Sequence, residues 1–190
     1  MTMFLFKAVT QDARAVHGHF QRANTNAREI IHIAFLGALA AVLQSAGGLL
    51  PGIGYIISPL ATAPMLMAAV YSIRSGITAY FLTIILLLVL QPSELAVFPF
   101  TTGLLGLVLG AAFIKLEKRI GLILAASASL FAGIAAVLYG LRFPLLGPSV
   151  STSIKFTALV YIYLFCFVYA FIWVELGIVI LRKFRRMLSG

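Results

Sequence analysis

From residue 29 onward the sequence alternates long apolar runs with short interruptions rich in glycine, proline or charge. A helix that spans a bilayer needs about 20 apolar residues, within a range of about 17–25. Six stretches are long enough: 29–46, 56–73, 75–91, 94–115, 119–141 and 153–181. The pattern predicts an all-α fold, a six-transmembrane-helix bundle occupying residues 29–184.

Local chemistry supplies the boundaries. Gly47-Gly48-Leu49-Leu50-Pro51-Gly52-Ile53-Gly54 reads as a loop rather than helix. Ser58-Pro59 is a helix start, with Pro59 at the first helical position. Ser72 to Gly76 forms a tight turn, Gln91-Pro92-Ser93-Glu94 a break, and Lys115 to Arg119 a charged hinge. Arg142 to Pro148 separates the last two spans. Pro64 and Pro99 fall inside their predicted helices and should kink them.

The first 28 residues differ in kind. Asp12, Arg14, His17, His19, Gln21 and Arg22 make them too polar to insert, so a cytosolic N-terminal tail is expected. The Met3-Phe4-Leu5-Phe6 patch leads into no apolar signal region or cleavage site. Residues 185–190 form a basic C-terminal tail.

Composition agrees with the pattern: 62% of residues are hydrophobic and 10% charged. Mean hydropathy is +1.09. Soluble domains carry about 25% charged residues, so most soluble enzyme classes are excluded. Fourteen Lys and Arg against five Asp and Glu give +9. With six spans, alternate connections lie on opposite sides of the membrane. One side holds Lys7, Arg14, Arg22, Arg28, Arg74, Lys115, Lys118, Arg119, Arg182, Lys183, Arg185 and Arg186; the other holds only Arg142 and Lys155. This asymmetry places both termini in the cytoplasm and makes the charge an orientation signal rather than a nucleic-acid footprint.

Small residues set how closely helices approach in lipid. The fifth span carries two ladders, Ala128-Ala132-Ala136-Gly140 and Gly121-Ala125-Ser129-Gly133, and the fourth carries Gly103, Gly106 and Gly110. Both are expected to build the bundle interior. The first span carries Ala34, Ala38, Ala41 and Ser45, which suit either internal packing or a docking face for another membrane subunit. Cys166 lies in an apolar run and serves neither a disulfide nor a metal site.

Five polar residues fall near the outward ends of the spans: Gln44, Gln91, Glu94, Arg142 and Lys155. They are candidates for the rim or floor of an outward-facing ligand pocket. Tyr55 and Tyr161 are aromatic candidates for the same pocket, with Tyr163 and Tyr169 more readily explained as interfacial. Glu175 and His32 suit roles at the cytosolic interface. Neither H-E-x-x-H, G-x-S-x-G, a paired intramembrane Asp nor a phosphate-cradling glycine loop occurs, so no enzyme activity, cofactor or metal is expected.

Three segments carry a family resemblance. Ile33-Ala34-Phe35-Leu36-Gly37-Ala38-Leu39-Ala40 resembles the first helix of the substrate-binding S components of energy-coupling factor transporters. Pro64-Met65-Leu66 through Arg74-Ser75-Gly76-Ile77-Thr78-Ala79 is similar to that family's second helix and entry to its third. Glu94, Pro99 and Gly103 resemble the start of the fourth helix in the thiamin-type members, although tryptophans around an outer pocket are missing here. The resemblance implies a bacterial cell-membrane protein that captures a vitamin or related micronutrient. It implies docking through Ala34 and Ala38 to a transmembrane coupling subunit, which works with two cytosolic ATPase subunits. Loop 47–57 would be the lid, Glu94 a ligand contact, and Arg142 or Lys155 a partner for a ligand carboxylate. The alternative readings are a membrane scaffold of the rod-shape-protein type and a stand-alone small transporter.

Overall fold

A computed structural model describes residues 9–23, 25–142 and 156–189. The regular elements among them are helical. In chain order they are α1 (Gln11–Ala23), α2 (Asn26–Leu49), the short α3 (Gly54–Ile57) with a 3-10 turn at Ser58–Ala61, and α4 (Thr62–Tyr71). Then follow α5 (Ile73–Leu90), a 3-10 turn at Pro92–Ala96, α6 (Thr102–Lys115), α7 (Arg119–Ala135) closing in a π-turn at Ala136–Gly140, and α8 (Phe156–Ser189). Five stretches are long and apolar enough to cross a membrane: Asn26–Leu49, Gly54–Tyr71, Ile73–Leu90, Arg119–Gly140 and Phe156–Leu188. Thr102–Lys115 is apolar but shorter.

The core forms around α4. Every residue of this helix is buried except Ala63. The close approach of α6 explains why: a Cβ added at Gly106 would lie 2.6 Å from the Met65 Cβ, and one at Gly110 2.5 Å from the Ala69 Cβ. Glycine at those two positions lets the α4 and α6 backbones touch, as expected for helices that associate without a hydrophobic drive. On its other side α5 meets α2 at Gly37, whose carbonyl accepts the Thr83 hydroxyl at 3.0 Å. Leu105, Leu109, Phe113, Leu122 and Trp173 continue the core toward α7 and α8.

The two ends of the bundle are chemically distinct. At one end Gln44, Ser58, Glu94 and Thr102 come together; at the other lie Tyr71, Ser75 and the α8 residue Phe184. The Tyr71 end carries α1, the segment read from sequence as a tail. Apolar Ala13 and Val16 on one face are fully buried in the main core. The polar face caps α4: His17 Nδ1 donates to the Val70 carbonyl at 2.8 Å and Gln21 Nε2 to the Tyr71 carbonyl at 3.1 Å. Last-turn carbonyls have no partner within their own helix, so α1 satisfies groups that α4 cannot. Asp12 binds Arg185 at 2.6 Å, and Arg14 binds Glu117 at 3.1 Å. Residues 185–189, read as a tail, continue α8.

Several expectations are corrected. Gly47 and Gly48 stay inside α2, so the loop shrinks to residues 50–53, where Gly52 adopts φ +77°. The α6 helix starts at Thr102 rather than residue 94, because Pro92 and Pro99 interrupt the preceding run and Thr101 leaves the helical region. Pro99 therefore kinks no helix, and Pro64 sits in the first turn of α4. On α7 the ladder Ala128, Ala132, Ala136 and Gly140 faces outward, whereas Leu122, Ala126, Leu130 and Gly133 face the core. Glu175 binds Arg119 of α7 at 2.9 Å.

Candidate functional site

The end of α2 brings Gln44 against the turn that joins α5 to α6. Gln44 Nε2 donates to Glu94 Oε2 at 2.7 Å. Thr102 Oγ1, in the first turn of α6, donates to Gln44 Oε1 at 2.6 Å. Three chain segments are thus tied by one carboxamide, and all three residues are buried. Gly47 makes the approach possible, since a Cβ there would stand 2.9 Å from Glu94 Oε1 and 3.2 Å from the Ser58 Cβ. Gly48 serves Gln91 in the same way, because a Cβ would collide with its side chain. Glu94 lies in the turn between helices, and burial holds its carboxyl above the ordinary glutamate range, with the Gln44 hydrogen bond acting in the opposite direction.

A cavity of about 340 Å³ opens beside this network. Its polar lining comes from Gln44, Tyr55, Ser58, Thr101, Thr102 and Tyr169. Pro59, Val97, Leu130, Ile134 and Phe165 complete the wall. Phe165 and Tyr169, both on α8, bring two aromatic rings to the lining, with centroids 5.7 Å apart. Thr101 is held by its own hydroxyl, which donates to the Val97 carbonyl at 2.7 Å. One turn further along the chain from Ser58, the buried Thr62 hydroxyl has no hydrogen-bond partner among the described residues.

The predicted site residues divide into groups. Gln44 and Tyr55 line the cavity. Glu94 stands behind Gln44, and Gln91 lies on the far side of Gly48, where its Nε2 donates to Ser93 Oγ at 3.0 Å. Tyr161 is exposed and off the cavity wall. Arg142 is also exposed, at φ 53°, and is not among the lining residues. Lys155 lies outside the described residues. Sequence reasoning missed Ser58, Thr101, Thr102 and Phe165, and set Tyr169 aside as interfacial. The adjacent hydroxyls of Thr101 and Thr102, immediately after Pro99-Phe100, were the available signal, because paired hydroxyls in an apolar run invite a search for what they bind.

On α2, Gly37 and Ala41 are buried while Ala34 and Ala38 are exposed. A larger cleft of about 590 Å³ runs beside that face, with walls of Phe35, Leu39, Pro64, Met67 and Phe184 and polar edges only at His32 and Tyr71. Among the described residues, no group of three or more His, Cys, Asp or Glu stands close enough to hold a metal ion. Comparison with protein-family models, with curated proteins and with solved structures gave no match.

Proposed function

We propose that this chain is the ligand-capturing subunit of an energy-coupling factor type importer. In this reading the Gln44 end faces outward, the Tyr71 end faces the cytoplasm, and six passes cross a bacterial cell membrane. The fourth pass is α6, which at 14 residues is about 21 Å long and leaves the Pro92–Thr101 segment as an outer cap. The observation that carries the reading is the cavity beside the Gln44–Glu94–Thr102 network. A buried polar cluster joined by hydrogen bonds beside a hydroxyl-lined cavity suits ligand binding, and a pure scaffold does not need converging polar groups.

Two further features support it. Basic residues gather at the Tyr71 end, where Arg14, Arg182 and Arg185 bind acidic partners from other segments. Ala34 and Ala38 leave a low-relief strip on an exposed face of α2, and small side chains permit close helix contact in lipid. That strip would dock a transmembrane coupling subunit, which in turn engages two cytosolic ATPases. The vitamin or micronutrient would enter past residues 50–53, where Gly52 already occupies a backbone region that favours glycine.

Affinity purification of the tagged chain from its own membranes tests the assembly. Co-purification of an ATPase pair with a membrane coupling protein is expected. Recovery of cell-wall assembly proteins in their place would favour the scaffold reading.

A further inference from the structure

The cleft of about 590 Å³ beside α2 and a smaller space at its Tyr71 end share Phe20, His32 and Tyr71 as walls, and together they form one amphiphilic groove. We infer that this groove binds an anionic phospholipid from the leaflet that meets the Tyr71 end, with an acyl chain in the cleft and the phosphate at Arg28. The inference requires only that the bundle sits in a bilayer, not that the Gln44 end captures a ligand.

Two matching stripes give the cleft its shape. α2 lines it with His32, Phe35, Leu36, Leu39 and Leu43, the spacing of one helix face. The opposite wall, from Leu60 to Tyr71, repeats that spacing while the chain runs the other way. His32 therefore stacks on Tyr71 at one end, with centroids 5.1 Å apart, and Leu43 and Leu60 lie toward the other. Between positions 32 and 43 the α2 stripe rises about 16 Å. That is one leaflet's depth in a hydrocarbon core about 30 Å thick. Phe35 and Leu39 are exposed on the bundle surface, so a chain enters sideways from the bilayer.

The chemistry changes at the Tyr71 end. Phe20 of α1 packs on Tyr71 with centroids 4.8 Å apart and borders both spaces. The smaller space, about 310 Å³, is lined by His19 and Arg28 as well. Arg28 carries its N–H donors in a planar fork that fits phosphate oxygens. His32 donates its Nδ1 hydrogen to the Arg28 carbonyl at 2.7 Å, which leaves Nε2 as the ring atom that can meet a headgroup. Glu29, the neighbouring carboxylate, accepts the Ser75 hydroxyl at 2.6 Å and does not line the space. A lipid tail gains little by moving from the bilayer into an apolar groove, so selectivity falls on the headgroup. An apolar helix from another protein would fill the cleft and leave the Arg28 space unmatched. A molecule with a long apolar tail and a phosphate fits both.

The test reconstitutes the full chain in nanodiscs of equal parts phosphatidylglycerol and phosphatidylcholine. The protein is then released into mild detergent and its retained phospholipid read by native mass spectrometry. Retained lipid is expected to favour phosphatidylglycerol about fivefold, the effect of one basic residue at the membrane surface. Arg28→Gln should remove that preference. Lys183→Gln, the same charge change at an exposed position of α8, should leave most of it. Leu39→Trp should fill the cleft and abolish retention. Val97→Trp, which fills the partly exposed rim of the cavity beside Gln44, should leave phospholipid retention unchanged. In native membranes, Phe35→p-benzoylphenylalanine should photocrosslink to phospholipid. The inference is overturned if no phospholipid is retained, if the two lipids are retained equally, or if Lys183→Gln lowers the preference as far as Arg28→Gln. Retention by Leu39→Trp, loss from Val97→Trp, or a polypeptide crosslinked at position 35 in place of lipid overturns it as well. Each of these results leaves ligand capture at the Gln44 cavity standing.

Discussion

Gln44 and Glu94, fifty residues apart in sequence, share a 2.7 Å hydrogen bond that joins α2 to the turn before α6. Both side chains are buried, so each relies on protein partners for its hydrogen bonds. Gln44→Leu would leave the Glu94 carboxyl and the Thr102 hydroxyl without their partner. Each orphaned buried group costs about 1–3 kcal/mol. A lowered melting temperature in detergent is expected, together with loss of ligand retention. Thr102→Val removes one hydrogen bond and should cost less, about 1 kcal/mol.

The raised Glu94 carboxyl makes stability depend on pH. The folded protein holds this proton more tightly than the unfolded chain, so the contribution is complete below 4.5, the ordinary glutamate value, and is lost as pH rises through the higher folded value. Glu94→Gln mimics the protonated acid. It should flatten this part of the profile and match or exceed the natural protein at pH 8. A Glu94→Gln profile that still falls as steeply would assign the dependence to another group. Thermal unfolding measured from pH 4 to pH 8 reads both.

Packing of α4 against α6 rests on Gly106 and Gly110. Gly110→Val would drive a side chain into Ala69 and the Leu66 carbonyl. Overpacking of this kind costs about 1–3 kcal/mol, and more when backbone is the obstacle. By contrast Gly18→Ala on α1 meets nothing within 4 Å and should be neutral or slightly stabilising. Comparative melting of the two variants checks the contrast.

The exposed strip on α2 predicts a separation of functions. Ala34→Phe or Ala38→Phe should leave the folded subunit and its ligand binding unchanged, since neither side chain is buried. Uptake in cells and recovery of the ATPase pair should both collapse. Loss of ligand binding along with uptake would instead place these alanines in the packing of the subunit.

Five long apolar helices were legible because apolar runs of spanning length are a strong signal in this composition. The finer features failed for identifiable reasons. Gly47 and Gly48 read as a turn, yet both are helical and serve close approach, one under Glu94 and the other under Gln91. Sequence cannot distinguish a glycine needed for backbone freedom from one needed for space. The Leu95–Phe100 run looked helical by hydropathy, but between Pro92 and Pro99 it forms the end of a 3-10 turn and further turns, with Tyr80 donating to the Pro99 carbonyl at 2.7 Å. The α7 ladder was assigned inward on the assumption that small residues mark an interior. Lipid is as apolar as a core, so a membrane helix shows little contrast between its two faces. For the site, the Gln44 and Glu94 positions were legible as rare polar residues in apolar surroundings. Ser58, Thr101 and Thr102 were not, because only the folded chain brings them around one space.

The central claim is that the cavity beside Gln44 holds a small molecule. Mass spectrometry of the protein purified alone, beside Val97→Trp, addresses it most directly. The account predicts a stoichiometric small molecule on the natural protein and none on the variant. Its contradiction would be a natural protein that carries no small molecule and whose melting temperature none of them raises.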